Sequence, residues 1–450
     1  MEVRVPSSLK YGAVYSQSKI QRVSLMPSSQ GPFYPSNTVR FNLPSRSLIR
    51  LSSLSAYFTT TITGLTSAAA NSSNSAIPYA GKLFSRIQFY VNGIPVNNSN
   101  YHDLVSVALA KCSGAPAWAE SRVQSGALDL IQHQDDCDVV AQRVLTTNNT
   151  ATSKTQYMVL DEIIGLPNCN GGGGVLDCGI FGDVSVEFTL NDAQCLKLKS
   201  NGDNSASLAT ISYNLNDFTC GIDVITSVSN DYLEMMQIRL SKDPRPINFA
   251  FQNYSAQVSL NSGAVRHAVS TNCLDIVLVA PLKATWQNRA SVAVDDVEGL
   301  RYCFDSNRTL ADANTARLSF NIGSTQYPQS QISHALQVLD ITQNCFAHGD
   351  RSSTHLLCNG VSGPTAADRT VSRTNFLENN FILAFPLSSE SEGWASHDKV
   401  LSGVTTNQAN AEIVVNSSNI GNAGSYLFTC ALYTSVLEYD PSTANVRVIA

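Results

Sequence analysis

The sequence predicts an all-β protein organised as two tandem sandwiches or barrels, with a few short helices in its loops. Three observations support that expectation. Short runs rich in β-branched and aromatic residues alternate along the chain with clusters of Gly, Asn, Ser and Pro, the punctuation of an all-β fold. Helical periodicity is confined to two short stretches. The motifs of the first half return, in the same order, in the second. Length agrees, because 450 residues exceed one ordinary core at roughly 150 residues per domain.

The strands can be read in order. Residues 48–63 are rich in Leu, Ile, Thr, Tyr and Phe and stop at Gly64. Residues 83–91 alternate in part (Phe84, Ile87, Phe89, Val91) and end at Asn92-Gly93. Asn-Gly suits a two-residue hairpin turn, since both residues tolerate positive φ. Val184, Val186, Phe188 and Leu190 share one face of a strand, with Asp183, Ser185, Glu187 and Thr189 on the other. Residues 426–439, between Gly424 and Asp440-Pro441, form a long β-rich run. Helical spacing occurs at 101–111 (Leu104, Val105, Ala108, Leu109) behind a cap-like Asn100, and at 332–341 (Ala335, Leu336, Leu339). The segments 112–155, 191–210, 285–316 and 345–375 are polar and irregular. Loops of that length usually serve a function or lie at an interface.

Five motif pairs make the repeat. Residues 54–62 match 274–282, and Phe89-Tyr90-Val91-Asn92-Gly93 with its following helix matches Phe320-Asn321-Ile322-Gly323 with Tyr327 and a helix. Residues 157–163 match 381–387, 184–190 match 411–417, and 213–225 match the strand from Tyr426. The offsets, 220, 230, 224, 227 and 213, stay near half the length, which implies a duplicated unit. The stiff stretch Lys242-Asp243-Pro244-Arg245-Pro246 puts a boundary between Asp231 and Pro246.

Composition excludes several functions. Charged residues make up 14%, against a usual value of about 25%, while 43% are hydrophobic, so the chain folds but has a weakly charged surface. Net charge is −6, so it lacks the basic face that grips nucleic acid. Met1-Glu2-Val3-Arg4-Val5-Pro6 has no charged region followed by an apolar run, so no signal peptide is expected. No apolar run reaches the roughly 18 residues of a membrane helix; 274–282 is the best and is too short. The 11 cysteines are scattered without Cys-x-x-Cys and read as reduced, mostly half-buried strand residues. Cys169 and Cys178, flanking a Gly-rich loop, are the one pair open to a disulfide. The sequons at Asn71, Asn148, Asn253, Asn307 and Asn416 matter only on a secretory route.

No catalytic constellation is visible. Gly-x-Ser-x-Gly, the phosphate loop, His-Glu-x-x-His and the dinucleotide fingerprint are all missing. The run Gly171 to Gly174 has no following Lys and reads as an exposed loop. Asp135-Asp136-Cys137-Asp138 and Asp295-Asp296 with Glu298 could attract a hard cation, but lack a calcium loop's Gly and distal Glu and read as solvated edges. The histidines (His102, His133, His267, His334, His348, His355, His397) lack metal-ligand spacing. Trp118, Trp286 and Trp394 read as core or interface anchors. The sequence therefore assigns no catalytic residue, no metal ligand and no cofactor.

Several stretches together resemble the double jelly-roll major capsid proteins of tailless icosahedral double-stranded DNA viruses, the lineage of adenoviruses and membrane-containing phages. Phe41-Asn42-Leu43-Pro44 and Ile49-Arg50-Leu51-Ser52-Ser53-Leu54 are similar to the family's opening strands. Leu83 to Gly93, followed by Tyr101-His102-Asp103-Leu104, resembles its strand, Asn-Gly turn and helix. Asp161-Glu162-Ile163, Gly165-Leu166, Val184 and Tyr213-Asn214-Leu215 look like the close of its first jelly roll, with a crossover at 232–240 into the second. The feel is nearest to virophages and polinton-like viruses. The likeness implies two tandem eight-stranded jelly-roll sandwiches, 1–235 with a leading arm and 236–450. It also implies a homotrimer whose six jelly rolls form a pseudo-hexameric capsomer of an icosahedral shell around a DNA genome. Its implied partners are its own copies, penton and minor capsid proteins and, in some shells, an internal membrane. Direct sequence-specific nucleic acid binding is not implied. The location would be the virion, with synthesis in the host cytoplasm or nucleus and no secretion.

Two other classes compete. A trimeric β-sandwich receptor- or carbohydrate-binding protein, like a fibre head or lectin, should show a shaft repeat or secretion signal, and neither is visible. A β enzyme acting on carbohydrate or peptide needs a paired acid and base, and no carboxylate pair stands out. Weakly charged, Ser/Thr/Asn-rich flanks suit a tile that contacts neighbours on every side, because burying unpaired charge is costly.

Overall fold

The computed structural model describes residues 19–63, 67–68, 71–75, 79–97, 100–113, 152–160, 165–170, 175–196, 198–200, 212–225, 236, 238–241, 245–284, 286–287, 300–302, 304–307, 316–346, 376–377, 380–388, 403–407, 411–443 and 445–449. Sixteen of the described strands make up the body of four antiparallel sheets. The first eight are β1 (Ile20–Leu25), β2 (Thr38–Asn42), β3 (Leu48–Thr63), β4 (Phe84–Val91), β5 (Ile94–Pro95), β6 (Thr152–Val159), β7 (Val184–Leu190) and β8 (Ser212–Ile225). The next eight are β9 (Ile247–Leu260), β10 (Ala264–Ala268), β11 (Leu274–Leu282), β12 (Arg317–Ile322), β13 (Thr325–Ile332), β14 (Leu383–Pro386), β15 (Glu412–Ser418) and β16 (Tyr426–Asp440).

The pairing of these sixteen is the same twice over, with Val175–Asp177 added beside β3 in one roll and Asn445–Ile449 beside β16 in the other. In the first set one sheet runs β1-β8-β3-β6 and the other β2-β7-β4-β5. In the second set the sheets run β9-β16-β11-β14 and β10-β15-β12-β13, so adding eight to each number maps one set on the other. Eight antiparallel strands in these two interleaved orders are a jelly roll, two Greek keys folded face to face. All five repeated motif pairs fall on strands of equivalent position. The backbone supports the reading locally: Asn92 and Gly93 have φ of 50° and 76°, as the Asn-Gly hairpin requires, and Gly323 at 60° turns the matching hairpin.

Alternation fills the cores. Phe58 of β3 and Phe84 of β4 meet edge to face at 5.7 Å across the first sandwich, and Phe218 of β8 meets Phe41 of β2 at 5.1 Å. Such edge-to-face pairs add about 0.5–1.5 kcal/mol each beyond the area they bury. In the second sandwich Phe320 of β12 packs on Phe385 of β14 at 5.4 Å. In the same sandwich His267 of β10 bridges the sheets, its ring nitrogens 3.0 Å from Ser255 Oγ and 3.3 Å from Thr429 Oγ1.

Three α-helices are described: α1 (His102–Ser113), α2 (Cys178–Phe181) and α3 (Ala335–Phe346). The second long helix starts later than its periodicity suggests, because Thr325–Ile332 is taken by strand β13 pairing with β12. It then runs on to Phe346, where an irregular loop was expected. The 191–210 stretch is also not wholly irregular, since Leu198–Ser200 pairs with Asn71–Ser75. Cys112, Cys178, Cys195, Cys220, Cys273, Cys345 and Cys430 are buried free thiols, and of these only Cys220 and Cys430 lie in strands. The expectation of half-buried strand positions is corrected: helices and turns seat the others in the cores, where small apolar side chains are needed.

Candidate assembly site

The two jelly rolls meet through α1. This helix is buried along its length from His102 to Cys112, although Asp103 and Lys111 are charged. A helix with no exposed face must be covered on both sides. One side rests on the turn Ala80–Leu83 and strand β4, and the other faces the second roll.

Asp103 is the centre of that contact. Its Oδ2 accepts from Arg301 Nε at 2.6 Å, from Asn191 Nδ2 at 2.9 Å and from the Tyr302 hydroxyl at 3.0 Å. Arg301 and Tyr302 belong to a single turn of 3-10 helix, Leu300–Tyr302, on the second half of the chain. Asp103 is 0% and the Arg301 side chain 8% exposed, so this is a fully desolvated ion pair. Lys111 Nζ donates to the Tyr302 carbonyl at 3.1 Å. The cations also lie over aromatic faces: Lys82 over Tyr302 at 4.9 Å, Lys111 over Phe304 at 5.1 Å and Arg301 over Trp286 at 5.1 Å. Asn253 of β9 adds a hydrogen bond to the Val96 carbonyl at 3.2 Å.

The electrostatics follow from burial. Desolvation works to lower the Arg301 pKa, but the adjoining Asp103 and Tyr302 raise it above its ordinary value, so the guanidinium stays charged. Burial, and then Asp103, pushes the Tyr302 phenol well up, which keeps its proton in place to donate. His102 lies 3.3 Å from the Tyr254 hydroxyl through Nδ1, and burial lowers its pKa to about 4, partly opposed by Asp103. The cluster is a structural clamp. Breaking a buried pair of this kind by removing one partner is costly, because the survivor stays charged and unsolvated.

A second contact runs through the backbone. The strand Gly165–Asn170 leaves the first jelly roll and pairs with β9 at Ala250–Gln252, covering the outer edge of that sheet. Phe181 of α2 adds apolar contact with Phe249 and Tyr439, at 6.4 and 6.1 Å.

The remaining sequence candidates separate plainly. His102 and His267 are buried structural groups, His334 is exposed beside α3, and His133, His348, His355 and His397 lie outside the described residues. Also outside are Asp135, Asp136, Asp138, Asp295, Asp296, Glu298, Gly171 to Gly174, Trp118 and Trp394. Trp286 anchors, packing on Tyr101 at 6.4 Å and Tyr426 at 6.0 Å. Cys178 is a free buried thiol, which argues against the Cys169–Cys178 disulfide. Burial, and then Asp177 and Asp183, pushes its pKa up to about 12, so it is a poor nucleophile. Asn253 is 4% exposed, so that sequon is closed to modification in the folded chain. Among the described residues no group of three His, Cys, Asp or Glu is placed to hold a metal, and no helix is long and apolar enough to cross a membrane.

Sequence reasoning missed the clamp. Its only signal is charge set in apolar surroundings, as at Lys111 in the helix and Lys82 before Leu83-Phe84.

Two jelly rolls in tandem, locked through one buried polar cluster, define a double jelly-roll protein. No protein-family model matches the chain, and neither does any curated protein. Solved structures do. The PBCV-1 virus capsid aligns over 94% of this chain and 95% of that one, with a TM-score of 0.53 and 10% identity. The faustovirus major capsid protein aligns over 93% and 90%, with a TM-score of 0.52 and 9% identity. PBCV-1 VP54 fitted into a reconstruction of the virophage Sputnik aligns over 94% and 95%, at 0.51 and 9%. The chain has the fold of the double jelly-roll capsid proteins, over nearly its whole length and theirs.

Proposed function

We propose that the chain is a major capsid protein, assembling as homotrimeric, pseudo-hexameric capsomers into an icosahedral shell around a DNA genome. The observation that carries this reading is the repetition of one eight-strand order in two rolls joined by the Asp103–Arg301 clamp. A rigid pair of equivalent units is what three copies need to present six similar sides. The work of the protein is then assembly, with no bond made or broken. Its place is the virion; its partners are its own copies, penton and minor capsid proteins and, if the shell encloses one, an internal membrane. We place the division of the chain at 235/236, an N-terminal roll with a leading arm and a C-terminal roll.

Weakly charged flanks support the reading, since neighbouring tiles can bury Ser, Thr and Asn against one another without stranding charge. The test is multi-angle light scattering of the purified chain at micromolar concentration, followed by electron microscopy of assembled material. A trimer that forms hexagonal tiles is the expected result. A stable monomer at that concentration overturns the proposal.

A further inference from the structure

The two rolls share a strand order but not a surface, and the difference shows where a neighbour sits. Within the chain, the outer face of β9-β16-β11-β14 is apolar and covered. Leu278, Ala280, Phe428, Cys430 and Leu432 are at most 1% exposed. His102 of α1 meets Tyr254 on that face, and Phe304 stacks on Phe428 at 6.5 Å. The edge of β9 is occupied as well, by Gly165–Asn170.

The equivalent face of the first roll, β1-β8-β3-β6, is polar. Phe58 points into the core, so alternation turns Tyr57 and Thr59 outward, opposite Tyr157 and Thr155 of β6. Tyr57 is 39% exposed and its ring stacks on Tyr157 at 6.3 Å. Beside them Arg22 is held by Asp223 at 2.9 Å and donates to the Tyr57 hydroxyl at 3.3 Å. Among the described residues β1, the counterpart of β9, pairs with β8 alone.

The helices show the same mismatch. α1 is buried all round, whereas α3, which follows the matching hairpin of the second roll, exposes Leu336 (51%), Gln337, Asp340 and Asn344. The second roll therefore has a covered face, and the first roll lends the helix that covers it. The first roll keeps an exposed face and the second an exposed helix.

We infer that the outer face of β1-β8-β3-β6 is the docking surface for a second copy of this chain, whose α3 lies over Tyr57 and Tyr157 as α1 lies over Tyr254 within the chain. This rests on the capsomer reading and specifies its interface. The composition follows from order of events. A face covered during folding can be apolar, but a face that waits for another molecule must stay soluble, and Tyr, Ser, Thr and Asn offer contact area while remaining wettable. The stacked tyrosines are the anchor, being rigid, amphipathic and central. Because the exposed face and the exposed helix are different surfaces, the contact is heterologous, head to tail, as a closed ring of copies requires.

Two surface variants test it. Tyr57→Glu with Thr155→Glu spoils the face; Leu336→Glu spoils the helix. Both sites are exposed, so circular dichroism and melting of each variant should match the parent. Each variant alone should be monomeric, with protomer association weakened by about 100-fold or more, the scale of losing an interface hot spot. An equimolar mixture should give a 1:1 heterodimer and nothing larger, because only one intact face can meet one intact helix and the ring cannot close. Variants that remain trimeric, or a mixture that stays monomeric, overturn the inferred interface and leave the capsomer reading standing. A monomeric parent chain would instead overturn the capsomer reading itself.

Discussion

Replacing Arg301 by Met should strand the Asp103 carboxylate in a fully desolvated site. The carboxylate would keep Asn191 and Tyr302 as donors but lose its counter-ion at 2.6 Å. Removing one partner of a buried ion pair costs about 3–5 kcal/mol, because the survivor remains charged and unsolvated. Asp103→Asn should cost a similar amount by stranding Arg301. The double variant Asp103→Asn/Arg301→Met removes both members of the pair, and the Asn carbonyl can still accept from Tyr302 and Asn191. It should therefore be no less stable than either single variant. The contact of Arg301 with Trp286 is lost in both Arg301 backgrounds and cancels in the cycle. The assay is urea denaturation followed by tryptophan fluorescence at one fixed protein concentration, since assembly couples to stability. The exposed pair Arg266–Glu412, with side chains 73% and 27% accessible, is the internal control and should contribute under about 1 kcal/mol. If the single clamp variants cost no more than that control, or if their effects simply add, the clamp does not hold the rolls together.

Acid should destabilise the fold through His102. Its pKa is about 4 in the folded chain against 6.5 free, so its contribution is complete above pH 6.5, shrinks as the unfolded chain takes up the proton, and is exhausted near pH 4. That span, at about 1.36 kcal/mol per pH unit, amounts to about 3 kcal/mol. His102→Gln should flatten the stability profile between pH 6.5 and 4, and an unchanged slope would refute the assignment; His267, also lowered to about 4 by burial, should act in the same direction. Gly81→Ala should lower stability by about 1–3 kcal/mol, because the added Cβ would lie 2.2 Å from Ser106 Oγ and 2.7 Å from Tyr79 Cε1, wedging α1 off its seat. A melting temperature equal to the parent's would show that the seat yields freely. Limited proteolysis of Asp103→Asn should release two β-rich halves, with circular dichroism as the readout; helical fragments would refute the division at 235/236.

Most of the strand plan was open to inspection in the amino-acid order, because a half-buried strand writes its burial into alternate positions. Val184 to Leu190 announces β7 in this way, and Asn92-Gly93 announces the hairpin through the φ values its residues tolerate. The repeat was legible for the same reason: duplicated strands keep their pattern after their identities diverge. The start of α3 was misjudged because Thr325–Ile332 has weak alternation and becomes a strand only by pairing with β12. The clamp was not legible at all. Asp103 and Arg301 are 198 positions apart, and a lone Asp or Arg reads as surface until something closes over it.

Local pattern alone thus determined the fold class, the duplication and the lack of any recognisable catalytic motif, since each is a property of neighbouring residues or of repeated runs. Only the tertiary structure decided which of two matching sheets is dry and which is wet. Leu278 and Tyr57 occupy comparable outward positions on equivalent strands, yet one is buried and the other exposed. Burial on a second face depends on what folds against it, and that partner comes from a distant part of the chain, where no local pattern records it.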